Sequence, residues 1–332
     1  MLKTFKRNTR KTRVNRFNFM SGVKLAIIIA VATQTMVIGQ TVPLSAFQAR
    51  TQAGKSGLSL PYRIFVPKNY DSAKRYPLVL CLHGVGESGT DNAKQVTAYQ
   101  LAPLWAADSN QSKHPSFVVA PQCPVGNSWS NMGAPIASRS IANTAQVVLE
   151  ILDSLGREFN LDPDRIYIAG LSLGGYGTWE MIERFPGRFA AAVPICGGGD
   201  TASAARIKNV PIWAFHGDAD PTVPVANSRN MIAAIRKAGG SPKYTEFPGV
   251  GHNSWVNALK EPSLPEWVFS QALATTSVLP PRRAAAISLI LIQGEGLHVR
   301  IDGRRSADSR ANELGFRVPG SLFQTGNPIL RE

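Results

Sequence analysis

The sequence predicts an α/β fold, a mostly parallel central sheet with helices on both faces. Three observations predict it. Short apolar, β-branched runs recur across residues 60–275, stretches with apolar residues at helical spacing separate them, and a glycine-flanked serine stands at one strand-to-helix junction. The runs are YRIFVP, PLVLCLH, SFVVAP, RIYIAG, AAVPIC, PIWAFHG and KYTEFP. Their hydrophobicity is continuous rather than alternating, as strands buried on both faces require. Residues 138–159, 175–185 and 226–238 read as helices. Between strand and helix, residues 125–141 (VGNSWSNMGAPIASRSI) are rich in Gly, Ser and Asn and read as a loop over the C-terminal edge of the sheet, placed to shape a pocket. No internal repeat is evident.

The formal net charge of +14 is unevenly spread. Residues 1–50 hold nine Lys or Arg and no acid, residues 279–332 hold eight Arg and five acids, and residues 51–278 hold 19 basic and 17 acidic residues. The body is therefore nearly neutral, and the high pI does not imply a nucleic-acid partner. The basic start fits a targeting pattern instead. A Lys/Arg-rich stretch precedes Leu25–Gly39, LAIIIAVATQTMVIG, which is short and diluted by Thr33, Gln34 and Thr35. It reads as the apolar region of a secretory signal rather than a membrane span, with cleavage between Gly39 and Ala49 and Met20 as an alternative start. The expected organisation is a leader over 1–49, a catalytic domain over 50–278 and a tail of no assigned role over 279–332. The expected location is secreted or periplasmic, with the membrane met only through the leader. Within the tail, ISLILI and LHVRI around QGEG could pair as a hairpin.

Three cysteines are too few for a disulfide framework. Cys81 lies inside an apolar run and Cys196 ends another, so both read as buried small hydrophobes; Cys123 reads as a loop residue, and the sequence allows one bridge after export without choosing the pair. No CxxC, HExxH or His-rich cluster calls for a metal.

The chemistry is concentrated in GLSLGG, Gly170 to Gly175, which fits the G-x-S-x-G turn that presents a nucleophile. The turn is sharply bent, and side chains two residues either side of the serine would collide with the neighbouring strand or helix. Gly170 and Gly174 remove those collisions, and the following helix turns its N–H groups toward developing negative charge. A serine hydroxyl needs a base, and the base needs an orienting acid. Asp220 in FHGDADPTVP and His252 in PGVGHNSW follow in that order, each just beyond a strand. Asp218 is the rival acid, set too close to the strand end. For the oxyanion hole, CLHGVGESG supplies Val85 N–H, with Gly86 as the nearby alternative, and Leu173 supplies the second donor. Glu87 reads as structural, His83 and His216 as loop-shaping residues, and His114 as surface. Trp129 and Trp255 are the substrate-binding candidates, with plain packing an even rival for Trp129. Trp179 and Tyr176 read as helix packing.

LHGVGESGTDN, APQCP…W, GLSLGGYGTWE, HGDADPTVP and GHNSW, in that order, resemble the α/β-hydrolase superfamily. Within it the chain resembles secreted polyhydroxybutyrate depolymerases, feruloyl esterases and the catalytic domain of prolyl oligopeptidases. The resemblance spans about 60–275 and implies ester hydrolysis through an acyl-enzyme, with Ser172, Asp220 and His252 as nucleophile, acid and base and no cofactor. The implied partner is a small-molecule or polysaccharide-linked ester; a polyester or a prolyl peptide is the alternative substrate. The family often carries an aspartate where Asn253 stands, a change expected to tune the surroundings of the histidine.

Overall fold

Alternation along the central strands puts two apolar faces on one sheet, and each face buries its own set of helices. The structure is a computed structural model that describes residues 42–131 and 135–273. The signal-like segment up to residue 41 and the hairpin suggested in the tail lie outside the described residues. The strands are β1 (Gln48–Ala53), β2 (Ser59–Phe65), β3 (Tyr76–Leu82), β4 (Phe117–Pro121), β5 (Leu161–Leu171), β6 (Ala191–Ile195), β7 (Trp213–Gly217) and β8 (Lys243–Phe247). They form one eight-stranded sheet in the order β1-β2-β4-β3-β5-β6-β7-β8. β2 is antiparallel to both its neighbours, and the pairs from β4 through β8 are parallel. This is the α/β-hydrolase fold that the motif order implied.

The helices are α1 (Lys94–Thr97), α2 (Leu101–Ala106), α3 (Asp108–Gln111), α4 (Asn143–Glu158), α5 (Leu173–Arg184), α6 (Ala204–Ile207), α7 (Ala226–Lys237), α8 (Trp255–Ala258) and α9 (Leu264–Phe269). In the β3–β5 register Leu78 faces Ile166 and Leu80 faces Ile168, and all four join the core beneath α4, α5 and α7. Their neighbours Val79, Cys81, Tyr167 and Ala169 point the other way, into a second core with Val96, Leu101, Trp105 and Val268. That is the period-two alternation of a strand read on both faces. α4 supplies Val147, Val148, Ile151, Leu152 and Leu155 at helical spacing, all buried.

The body starts earlier than residue 50. Phe47 is buried in the second core with Val42 and Leu44 packed beside it, and β1 begins at Gln48. Residues 42–49 therefore pack with the folded body. All three cysteines are free and buried, including Cys123, which the sequence reading left in a loop. No helix among the described residues is long and apolar enough to cross a membrane.

The loop before α4 is tied down by charge. Arg139 and Arg184 both pair with the buried Glu180 on α5, and Arg184 also donates to the carbonyls of Arg139 and Ser140. One turn further along, Glu183 is fully buried and its Oε1 accepts the Asp200 N–H at 2.7 Å, while Asp200 Oδ2 accepts the Ile136 N–H at 2.9 Å. Burial pushes the Glu183 carboxyl up to about 8 from an ordinary 4.5. The unfolded chain releases this proton near pH 4.5 and the folded chain near 8, so between those values the folded state holds more protons and stability falls as pH rises. Glu183→Gln keeps the acceptor for Asp200 and removes the titration. It should stabilise the protein by about 1–3 kcal/mol at pH 8 and leave it nearly unchanged at pH 4.5, as thermal melts at the two pH values would show.

Candidate active site

The C-terminal ends of β3, β5, β7 and β8 carry the site, and each end is built differently. After β5 the chain turns directly into α5, with Ser172 at φ 53° and ψ −115°. This is a left-handed conformation that costs a non-glycine residue of order 1–3 kcal/mol and persists only where its surroundings hold it. Two hydrogen bonds do so: Ser172 N–H donates to Ile195 O at 2.9 Å and Tyr176 N–H to Ser172 O at 3.1 Å. The glycines are there for close approach. A Cβ on Gly174 would sit 1.9 Å from Leu82 O, and one on Gly170 would sit 2.2 Å from Gly174 O. α5 thus starts hard against the end of β3, as the steric reading of GLSLGG required.

After β7 and β8, two loops bring Asp220 and His252 to the serine. Ser172 Oγ lies 2.9 Å from His252 Nε2, and His252 Nδ1 lies 2.7 Å from Asp220 Oδ2. The other oxygen, Asp220 Oδ1, accepts the N–H groups of Thr222 at 2.8 Å and Val223 at 2.9 Å. Burial of Asp220 works against its charge, but the bonds from His252, Val223 and Thr222 outweigh it and hold the carboxyl below its ordinary range. The rival Asp218 is exposed and turned elsewhere, its Oδ1 accepting the Gly249 N–H at 2.6 Å to close the turn before His252.

The loop after β3 is a 3₁₀ turn over Val85–Glu87. A Cβ on Gly84 would lie 3.5 Å from Ser172 Cβ, so the turn abuts the serine. Among the described residues, the N–H groups of Val85, Gly86 and Leu173 donate to no acceptor in the chain. The turn is clamped from beneath. Glu87 Oε2 accepts the Gly84 N–H at 2.9 Å, and Gln122 donates to Glu87 O at 3.0 Å. His83 accepts the Cys123 N–H through Nε2 at 2.8 Å, so its Nδ1–H donates to Gly84 O at 2.6 Å. Burial lowers the His83 pKa to about 4, which keeps this neutral tautomer in place at ordinary pH.

Trp129 belongs to that clamp and does not line a substrate pocket. Its side chain is 0% exposed, its Nε1–H donates to His83 O at 3.0 Å, and its ring stands edge-on to the imidazole at 5.1 Å. A buried indole needs a partner for its N–H, and the strand-end carbonyl supplies one. Trp255 does stand at the site, edge-on to His252 at 5.4 Å. Beyond it lies Tyr99, 5.1 Å from the Trp255 ring, with its hydroxyl 3.1 Å from where a Cβ on Gly86 would be. The two rings span from the histidine loop to the 3₁₀ turn. Tyr99 sits outside every motif, in a stretch with no period to mark it. Cys196, a small hydrophobe by its sequence context, also lies at the site. It has φ 40° at the end of β6, and its sulfur lies within 4.8 Å of ligand atoms of Asp220 and His252. Those two residues are bonded to each other, and burial pushes the Cys196 thiol up to about 12, so it is a buried backing to the pair.

Residues 70–263 match the family model for phospholipases and carboxylesterases. The chain belongs to that family. Its similarity to individual proteins is looser. It is 33% identical over 125 residues to poly(3-hydroxyalkanoate) depolymerase C of Paucimonas lemoignei, covering 37% of this chain and 28% of that protein. It is 27% identical over 202 residues to the carboxylesterase SOBER1 of Arabidopsis thaliana, covering 55% of this chain and 86% of that one. A thermostable esterase of known structure superposes with a TM-score of 0.66 at 43% identity, over 69% of this chain and 64% of the other. The chain thus spans little more than a quarter of the depolymerase. The family match takes in Ser172, Asp220 and His252 together.

Proposed function

We propose that this family member is a serine carboxylesterase that cleaves esters of small or aromatic acyl groups through an acyl-enzyme. The observation that carries the reading is the unbroken chain Ser172 Oγ–His252 Nε2, His252 Nδ1–Asp220 Oδ2 beside N–H groups with no partner in the described chain. His252 Nε2 takes the proton as Ser172 Oγ bonds to the ester carbon, and the carbonyl oxygen becomes an alkoxide facing the Leu173 and Val85 N–H groups. Collapse expels the alcohol, which receives the proton from His252. A water then enters, deprotonated by the same nitrogen, and releases the acid. Asp220 keeps Nδ1–H fixed and stabilises the imidazolium.

Tyr99 and Trp255 support an aromatic or apolar group on the substrate, because flat rings beside the base offer stacking area at little entropic cost. Feruloyl, acetyl and hydroxybutyryl esters are the natural test set. On purified protein, methyl ferulate, p-nitrophenyl acetate and a hydroxybutyrate ester should turn over at least a hundredfold faster than a proline-containing peptide amide. Faster amide cleavage would make the protein a peptidase on the same machinery. The basic, then apolar, N-terminal pattern supports export, and the burial of Phe47 supports cleavage ahead of that residue. Recovery of a mature chain beginning after residue 47 would contradict that.

A further inference from the structure

Asp220 has a second imidazole beside it, besides the one in the triad. His216, the fourth residue of β7, is fully buried, with Nε2 3.0 Å from Val223 O and 3.3 Å from Asp220 Oδ2. Both neighbours of Nε2 can only accept, so Nε2 carries the proton. Nδ1, 2.7 Å from Ser228 Oγ, is then the acceptor, and the Ser228 hydroxyl donates to it. Val223 closes the loop from both sides, giving its N–H to Asp220 Oδ1 and its carbonyl to His216. Three N–H donors therefore hold the Asp220 carboxylate, a side chain with no solvent exposure, and the His216 Nε2–H, bonded to Val223 O, lies 3.3 Å from the same Oδ2 that His252 uses. The other ionisable groups around this pair are Cys196 at the end of β6, Tyr176 on α5 and Glu246, opposite His216 on β8. None of these is hydrogen-bonded to Asp220 among the described residues: Tyr176 takes its bond from Asn227, and Glu246 pairs with Arg229 and Tyr244. Burial lowers the His216 pKa, which favours the neutral ring that this bonding pattern requires.

We propose that His216 is a positioning residue for ester hydrolysis, its Nε2–H fixing Asp220 and drawing charge off the oxygen that orients His252. The proposal rests on the esterase reading above. A neutral donor on Oδ2 does two things. It limits rotation of the carboxylate, and it weakens the pull of that oxygen on a protonated His252.

The experiment compares His216→Phe, which keeps a flat ring without the donor, with His216→Gln, whose amide N–H reaches the position of Nε2. Each is measured per active site, counted by fluorophosphonate titration, with a thermal melt alongside. His216→Phe should lower kcat/KM about ten- to a hundredfold, the range for one hydrogen bond to a charged group, and should move the acid limb of the pH profile to higher pH. His216→Gln should recover most of the rate and return the limb. An unchanged rate per active site overturns the proposal, and so does a loss with an unmoved limb that glutamine does not rescue. Should His216→Phe fail to fold, Ser228→Ala removes the donor that fixes the ring; it should lower the rate and move the limb the same way, and no change would overturn the proposal. The Nδ1 proton of His252, observed by NMR without substrate, supplies a test separate from turnover. A resonance unmoved between wild type and His216→Phe rejects the role of His216, whereas absent wild-type ester hydrolysis rejects the esterase reading.

Discussion

Ser172→Ala should cut ester turnover by about a millionfold, abolish fluorophosphonate labelling and leave the melting temperature nearly unchanged. The size follows from what is left behind. Among the described residues the thiol near His252 is Cys196, which is fully buried and which burial pushes up to about 12, so it offers no thiolate to replace the serine. The N–H groups at Val85 and Leu173 survive the substitution, so a residual rate above the uncatalysed one should persist. Stability should hold because the left-handed backbone at residue 172 is as costly for alanine as for serine, and the backbone bonds to Ile195 and from Tyr176 remain. A variant keeping a hundredth of wild-type turnover, or still labelled at one site, would place the nucleophile elsewhere.

That prediction was legible in the sequence because the serine turn leaves little choice of residue. Gly170 and Gly174 answer contacts of 2.2 Å and 1.9 Å with backbone atoms that no other side chain could share. The parallel strands were legible for a similar reason, since burial on both faces forces continuous apolar runs such as PLVLCLH. What failed lacked such a constraint. β1 is an edge strand with mostly exposed residues, QARTQA, and carries no apolar signal. α1, α2 and α3 have four to six residues each, too few to display a period. Trp129 sits in a Gly/Ser/Asn-rich loop, and nothing local tells that its indole turns inward to a strand-end carbonyl. His216 does hold the loop after β7 through Val223 O, as its place before a glycine suggests, but its nearness to Asp220 depends on how that turn folds back, a long step beyond spacing.

Asp220→Asn should lower kcat about ten-thousandfold with the protein still folded. The carboxylate accepts on both oxygens, the Thr222 and Val223 N–H groups at Oδ1 and the His252 N–H at Oδ2, with His216 Nε2 3.3 Å from that same oxygen. An asparagine has one acceptor oxygen and one NH₂, so either orientation sets a donor against donors. The backbone pair is fixed by the turn, so the amide oxygen should stay with it and the NH₂ should face His252. Imidazole then relieves the conflict by accepting at Nδ1 and protonating Nε2. In that tautomer Nε2–H points at Ser172 Oγ and cannot take its proton, so acylation stalls while ester binding persists. KM should therefore change far less than kcat, and fluorophosphonate labelling should slow in proportion to kcat. Asp218→Asn is the control: its carboxylate serves the Gly249 N–H, and its loss should cost less than tenfold. If the two substitutions had the reverse effects, Asp218 and not Asp220 would be the residue that holds the base.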